Sequence, residues 1–246
     1  SLGTLRLLES IRLLNLHKTC KFYQASTSEM FGDLVNKSLS EKSSFMPKSP
    51  YGVSKLYSYW ITKVYRESYG IFACNGILFN HESERRGETF ITRKITKGLA
   101  EIICGKRKCM FVGNLNAKRD WGYAKDYVKM QWKMLQRKKP EDYVIATGKQ
   151  LSVRDFINKS CNYLGIKIQW KEKGLKEYAK VISVKNNKFK IKKGDIIVKV
   201  SKRYFRPNDV NNLLGNPSKA IKDLKWKPLI SLDTMIKKMI DNDLRL

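Results

Sequence analysis

Apolar residues recur at helical spacing from Leu5 to Leu16, with Thr4 placed to cap the first turn, so the chain is predicted to open on a helix. From Lys21 the period changes. The apolar-aromatic run Lys21-Phe22-Tyr23-Gln24-Ala25-Ser26-Thr27 ends in small hydroxyl residues and reads as a buried strand opening into a loop. A polar stretch closing on Pro47-Lys48-Ser49-Pro50 precedes a long helical pattern from Tyr51 to about Tyr69, which Gly70 terminates. Residues 71 to 79 form a second buried-strand candidate that ends in the polar Asn80-His81-Glu82. Further along, the pattern predicts a helix over 92–103, a strand over 108–112, a helix over 125–137 and a strand over 142–147. Ser152 is placed to cap a helix running towards Leu164, residues 188–200 alternate about Lys193-Gly194-Asp195 as a β-hairpin would, and residues 231–244 make a closing amphipathic helix.

Strand, loop, helix and strand in alternation is the pattern of a parallel sheet covered by helices. At 246 residues and 42% hydrophobic content the chain can bury a full core, as one large domain or a domain with an appended lobe. It contains no apolar run approaching the roughly 18 residues of a membrane span, and its start lacks the charged leader and apolar centre of an export signal, so no membrane association is expected. Five cysteines, an odd number without CxxC pairing, point to reduced thiols in a cytoplasmic setting rather than to a disulfide framework or a zinc site. Fifty Lys and Arg against 22 Asp and Glu leave a net charge of +28, which would attract any polyanion. The lysines are scattered through nearly every segment instead of gathered on one face among aromatics, so a solvated basic surface is the expectation and nucleic acid is not an expected partner.

The candidate chemistry lies at the second helix. Tyr51 and Lys55 are four residues apart at its start and share a helix face. A phenol of ordinary pKa about 10 is a poor base at neutral pH, and a neighbouring ammonium favours its phenolate. Taken alone, a tyrosine at a helix start more often packs than reacts. The run Ser49-Pro50-Tyr51-Gly52-Val53-Ser54-Lys55 follows a strand ending Ala25-Ser26-Thr27-Ser28-Glu29, however, and this resembles the active-site layout of extended short-chain dehydrogenases.

Six further blocks resemble the GDP-mannose 4,6-dehydratase family over essentially the whole chain. They are Tyr23 to Glu29, Ile77 to Ser83, Arg85 to Phe90, Arg119-Asp120-Trp121-Gly122, Lys125-Asp126-Tyr127-Val128 and Arg203-Tyr204-Phe205-Arg206-Pro207. The resemblance implies a partial Rossmann-type, doubly wound parallel α/β sheet with a smaller interleaved C-terminal substrate-binding lobe. Residues 1–80 would be the remaining part of the NADP-binding domain and residues 81–246 the sugar-nucleotide-binding region, with 142–148 returning as a strand to the first sheet. It implies that GDP-mannose becomes GDP-4-keto-6-deoxymannose by internal hydride cycling through NADP and loss of water.

Residue by residue, the resemblance makes Thr27, Glu29, Tyr51 and Lys55 catalytic. Thr27 would hydrogen-bond the sugar hydroxyl at carbon 4 while Tyr51 removes its proton, and Glu29 would take the hydrogen that the resulting ketone makes acidic at carbon 5. Alternation along an extended strand end would carry Glu29 to the same side as Thr27. Lys55, His81 and Arg86 would serve the cofactor; Asn80, Lys94, Arg119, Arg206 and Asp209 would serve the substrate, the cations on its diphosphate. Arg85-Arg86-Gly87 resembles a loop that crosses a subunit boundary in this family and implies a homo-oligomer, dimer or tetramer. With only His17 and His81 as histidines, no metal site is expected. The family's Gly-rich turn has no counterpart here, so the chain is expected to be a fragment of a longer protein. Other dehydratases and epimerases of the fold remain alternatives, as does a catalytically inactive basic binding protein; Glu29 argues against a plain epimerase or reductase.

Overall fold

The computed structural model describes residues 1–33, 38–205 and 210–245. In chain order the elements are α1 (Leu2–Leu13), β1 (Lys21–Thr27), α2 (Pro50–Tyr69), β2 (Phe72–Leu78), β3 (Asn80–Glu82), α3 (Ile91–Ile103), β4 (Met110–Val112), β5 (Lys118–Arg119) and β6 (Trp121–Tyr123). There follow α4 (Ala124–Leu135), β7 (Tyr143–Ile145), β8 (Leu151–Ser152), α5 (Val153–Tyr163), β9 (Ile166–Lys171), β10 (Tyr178–Val184), β11 (Ile196–Val200), α6 (Ser218–Leu224) and α7 (Leu232–Asp243). They divide into two units: residues 1–81, 119–150 and 210–229, and residues 82–118, 151–209 and 230–246.

The first unit is built on a parallel sheet in the order β1-β2-β7. Every residue of β2 after Phe72 is buried, as a central strand covered on both faces requires. On one face α1 and α2 bury Leu8, Ile11 and Tyr65 against Ile71 and Ala73, with Phe22 partly buried beside them. On the other, α4 and α6 bury Tyr127, Met130, Met134, Ala220 and Leu224 against Cys74, Leu78, Tyr143 and Ile145. Successive strand residues thus supply opposite layers, the three-layer arrangement of a doubly wound fold. A buried polar network locks the central strand: Asp142 accepts from the Asn75 N–H at 2.8 Å and pairs with both Nη atoms of Arg66, at 2.7 and 3.0 Å.

The second unit carries a mixed sheet, β4-β11-β10-β9, in which β4 runs parallel to β11 and the other pairs are antiparallel. Its core helix, α3, buries Ile95, Leu99, Ile102 and Ile103 at helical spacing. Ser152 caps α5 in a capping box with Asp155, as its position suggested.

Three local expectations are corrected. Helix α1 begins at Leu2, and Thr4 lies within it; the Thr4 hydroxyl stands 3.1 Å from Gln24 Oε1 and 3.2 Å from Ser58 Oγ, bonded across to β1 and α2 instead of to its own helix end. The same helix stops at Leu13, and a left-handed Asn15 (φ 55°) breaks the apolar period that continued to Leu16. The hairpin expected over 188–200 is instead formed by β10 and β11. Residues between them turn away: Phe189 N–H bonds to Asn186 O and Lys190 N–H to Ile103 O, while Gly194 (φ 102°) and Asp195 reverse the chain onto Val181. Alternating Lys188 to Lys192 therefore reflects loop residues, and β9, β10 and α6 were not anticipated.

Candidate active site

The first unit assembles the Tyr51/Lys55 helix on the end of β1. Pro50 starts α2 with its fixed φ, and Ser49 caps it by accepting from the Gly52 N–H at 3.0 Å. Gly52 is buried, and a Cβ there would stand 2.9 Å from the Glu29 carbonyl oxygen and 3.0 Å from Pro47 Cβ. The first turn of α2 is thus seated on the backbone of Glu29. Lys55, one turn on, donates its ammonium to the Ala25 carbonyl oxygen at 2.8 Å, two residues before Thr27 on the same strand. That ammonium is 5.8 Å from the centre of the Tyr51 ring, and half-burial lowers its pKa below the usual lysine range.

Thr27 is buried, and behind it Ser26 Oγ donates to Asn75 Oδ1 at 3.1 Å, fixing the strand end from within. The extended backbone expected to continue through Glu29 ends at Thr27. Ser28–Met30 form a single 3-10 turn, and the Glu29 N–H donates to Thr27 Oγ1 at 3.3 Å. What keeps Glu29 beside Thr27 is this turn, driven by burial of Ser28 and Met30, rather than strand alternation. Tyr51 is 52% exposed and Glu29 partly exposed, so a phenol and a carboxylate face outward from a backbone that is itself packed.

Of the other sequence-predicted residues, Asn80, His81 and Arg119 belong to this same unit. His81 stacks on the Tyr127 ring (5.1 Å between centres) with its Nδ1 2.9 Å from Phe79 O. Arg86 and Lys94 belong to the second unit. Lys94 Nζ lies 3.2 Å from the centre of the Tyr204 ring, and burial, then the charges of Arg107 and Arg203, lowers its pKa. Arg206 and Asp209 lie outside the described residues.

Two carboxylates escaped sequence reasoning. Asp120 is fully buried and accepts from Thr147 N–H (2.8 Å), Thr147 Oγ1 (2.6 Å), Gly148 N–H (2.9 Å) and Gly215 N–H (3.4 Å). It ties three segments of the first unit to the residue beside Arg119. Glu82 is buried in the second unit and pairs with Arg86. Their only signal was membership of the blocks Arg119-Asp120-Trp121 and Asn80-His81-Glu82, and an isolated acid among fifty cations reads as a surface partner.

The family model described as GDP-mannose 4,6 dehydratase matches residues 1–239. The chain belongs to the GDP-mannose 4,6-dehydratase family. A GDP-mannose 4,6-dehydratase of Vibrio cholerae is 59% identical over 245 residues, which is 99% of this chain and 66% of that relative. The chain therefore spans 66% of the length of the first such relatives of this family. Among solved structures, RMD from Pseudomonas aeruginosa complexed with NADPH superposes with a TM-score of 0.78 at 16% identity, covering 100% of this chain and 73% of that one. A dTDP-glucose 4,6-dehydratase from Bacillus anthracis in complex with NAD does so with a TM-score of 0.75 at 18% identity, covering 98% and 66%. At such identities the likeness establishes the fold alone, a Rossmann-type α/β arrangement.

Proposed function

We propose that this chain carries the catalytic residues of a GDP-mannose 4,6-dehydratase, which forms GDP-4-keto-6-deoxymannose. The observation that carries the reading is the seating of α2 on the Glu29 backbone, with Lys55 bonded to the strand that ends in Thr27. One scaffold thereby holds a hydroxyl, a carboxylate, a phenol and an amine. Family membership over residues 1–239 supports the substrate.

The residues present fit the nicotinamide end of a dinucleotide: Lys55 is a half-buried ammonium at a strand end, suited to ribose hydroxyls, and His81 lies one strand on. We assign Lys55, His81 and Arg86 to a nicotinamide cofactor, NADP by resemblance, which when bound supplies reversible hydride transfer. Tyr51 takes the proton from the sugar hydroxyl at carbon 4, helped by the Lys55 charge, while Thr27 orients that hydroxyl. A ketone at carbon 4 acidifies the hydrogen at carbon 5; Glu29 takes that proton and passes it to the hydroxyl at carbon 6, which leaves as water with a carbon 5–carbon 6 double bond in its place, and return of the hydride to carbon 6 with a proton to carbon 5 would complete the 4-keto-6-deoxy sugar. Asn80, Lys94 and Arg119, with Arg206 and Asp209, are the proposed contacts to GDP-mannose. A homo-oligomer through Arg85-Arg86-Gly87 and a cytoplasmic location, in keeping with five free thiols, complete the proposal.

The test is conversion of GDP-mannose, with dTDP-glucose and UDP-glucose as controls, by the protein supplied with its nucleotide-binding part. Tyr51→Phe is expected to abolish 4-keto sugar formation, by roughly 10²–10⁴-fold for loss of an acid–base group. Glu29→Gln is expected to retain some carbon-4 oxidation, seen as cofactor reduction, but not water loss. Equal loss of both steps in Glu29→Gln would remove Glu29 from the second step.

A further inference from the structure

Within the second unit, Glu82 ends β3 with its side chain 1% exposed. Two neighbours address the same carboxylate oxygen. Thr92, in the first turn of α3, donates its hydroxyl to Oε2 at 2.6 Å, and Arg86 Nε stands 3.0 Å from Oε2. The guanidinium carbon of Arg86 lies 3.6 Å from the centre of the Phe90 ring, the residue immediately preceding α3. Arg86 is therefore held on two sides, by charge and by an aromatic face.

We propose that Glu82 is a positioning residue that fixes the Arg86 guanidinium against Phe90, so that this cation is presented already ordered to a phosphate group of the cofactor. The role of Arg86 towards the cofactor rests on the reading above; its placement by Glu82 does not. Arg86 Nε pairs with Glu82 by charge, at 3.0 Å and without hydrogen-bond geometry, and a guanidinium fork is suited to taking phosphate oxygens in pairs. A buried carboxylate left without its cation is strongly unfavourable, so Glu82 resists any rotamer that carries Arg86 away. Thr92 fixes the carboxylate in turn. Arg93, the next cation on α3, is turned elsewhere, towards the Glu84 carbonyl oxygen and Asp243, which leaves Arg86 as the charged group facing Glu82 among the contacts described. Burial pushes the Glu82 carboxyl up to about 7, against the lowering effects of Arg86 and Thr92. The hold on Arg86 is accordingly full above neutrality and weakens as the carboxylate takes up a proton below it.

The experiment is side-chain NMR of the full 246-residue chain, following the relaxation and chemical shift of the Arg86 Nε–H, assigned by its loss in Arg86→Lys. In the wild type it is expected to be rigid at pH 8 and to gain mobility with a midpoint near pH 7. In Glu82→Gln, which keeps an acceptor for Thr92, it is expected to be mobile at both ends of the range with no midpoint. A rigid Arg86 in a folded Glu82→Gln chain overturns the proposal. So does a wild-type signal that does not change between pH 6 and 8, a result that does not depend on the variant folding. Adding NADP⁺ to the chain supplied with its nucleotide-binding part separates the two readings: an ordered Arg86 whose resonance is unmoved by the cofactor there leaves the positioning role standing and removes Arg86 from the cofactor site.

Discussion

Asp120 sits between the arginine assigned to the substrate diphosphate and a buried tryptophan, and its two oxygens take four hydrogen bonds from neutral donors. Burial outweighs those donors and pushes its carboxyl up to about 6. An unfolded aspartate titrates near about 3.9, so the folded-state value is raised, and the stability it contributes is present in full below about pH 4 and lost as pH rises through 6. Asp120→Asn points an amide N–H₂ at backbone donors and is expected to cost about 1–3 kcal/mol at acidic pH. Urea unfolding of both proteins from pH 4 to 7 is expected to show the wild-type advantage shrinking by up to about 3 kcal/mol; a gap that ignores pH would refute this account of the carboxyl. No residue-scale feature of the sequence announces Asp120. Tyr51 and Lys55, by contrast, were legible because a helix start and a four-residue spacing fix their common face.

The decisive element is the first turn of α2. Helix propensity alone favours alanine over glycine by roughly 0.5–1 kcal/mol, so Gly52→Ala would stabilise an isolated helix. Here the added methyl meets the Glu29 carbonyl at 2.9 Å, backbone that cannot rotate away, and overpacking of this kind costs about 1–3 kcal/mol. Gly52→Ala is therefore expected to lower stability in thermal or urea unfolding and to reduce turnover, because α2 must lift from the turn that bears Glu29. Retained stability with full activity would show that this contact is not what seats the helix. Ser49→Ala, which removes only the cap, is expected to cost about 1 kcal/mol and to leave the Glu29 contact in place. The extent of α2 was readable from Ser49-Pro50 and Gly70, since cap chemistry is local. The 3-10 turn at Ser28–Met30 was not, because only the burial of Met30 in the core beside Phe31, Tyr59 and Ile77 bends the chain there.

For the whole molecule, a charge of +28 invites binding to polyanions, yet lysines occur in almost every segment of both units. Non-specific attraction of this kind weakens steeply with salt. Retention on single-stranded DNA is expected at about 50 mM salt, to be lost by about 200 mM, and to be unaffected by Tyr51→Phe. Retention that survives physiological salt would favour a nucleic-acid function. Among the described residues, no helix is long and apolar enough to cross a membrane. By itself the sequence determined the alternation of strands and helices in the first unit, the end of α2 at Gly70, the cap of α5 at Ser152, and the shared helix face of Tyr51 and Lys55, because periodicity, capping and short spacings are set by residues a few positions apart. Only the tertiary structure decided that Glu29 stays beside Thr27 through a turn, that Glu82 and Asp120 are buried acids, and that the hairpin is made of β10 and β11. Each of these depends on what distant segments bring to the same place, and burial and dielectric exist only once those segments have met.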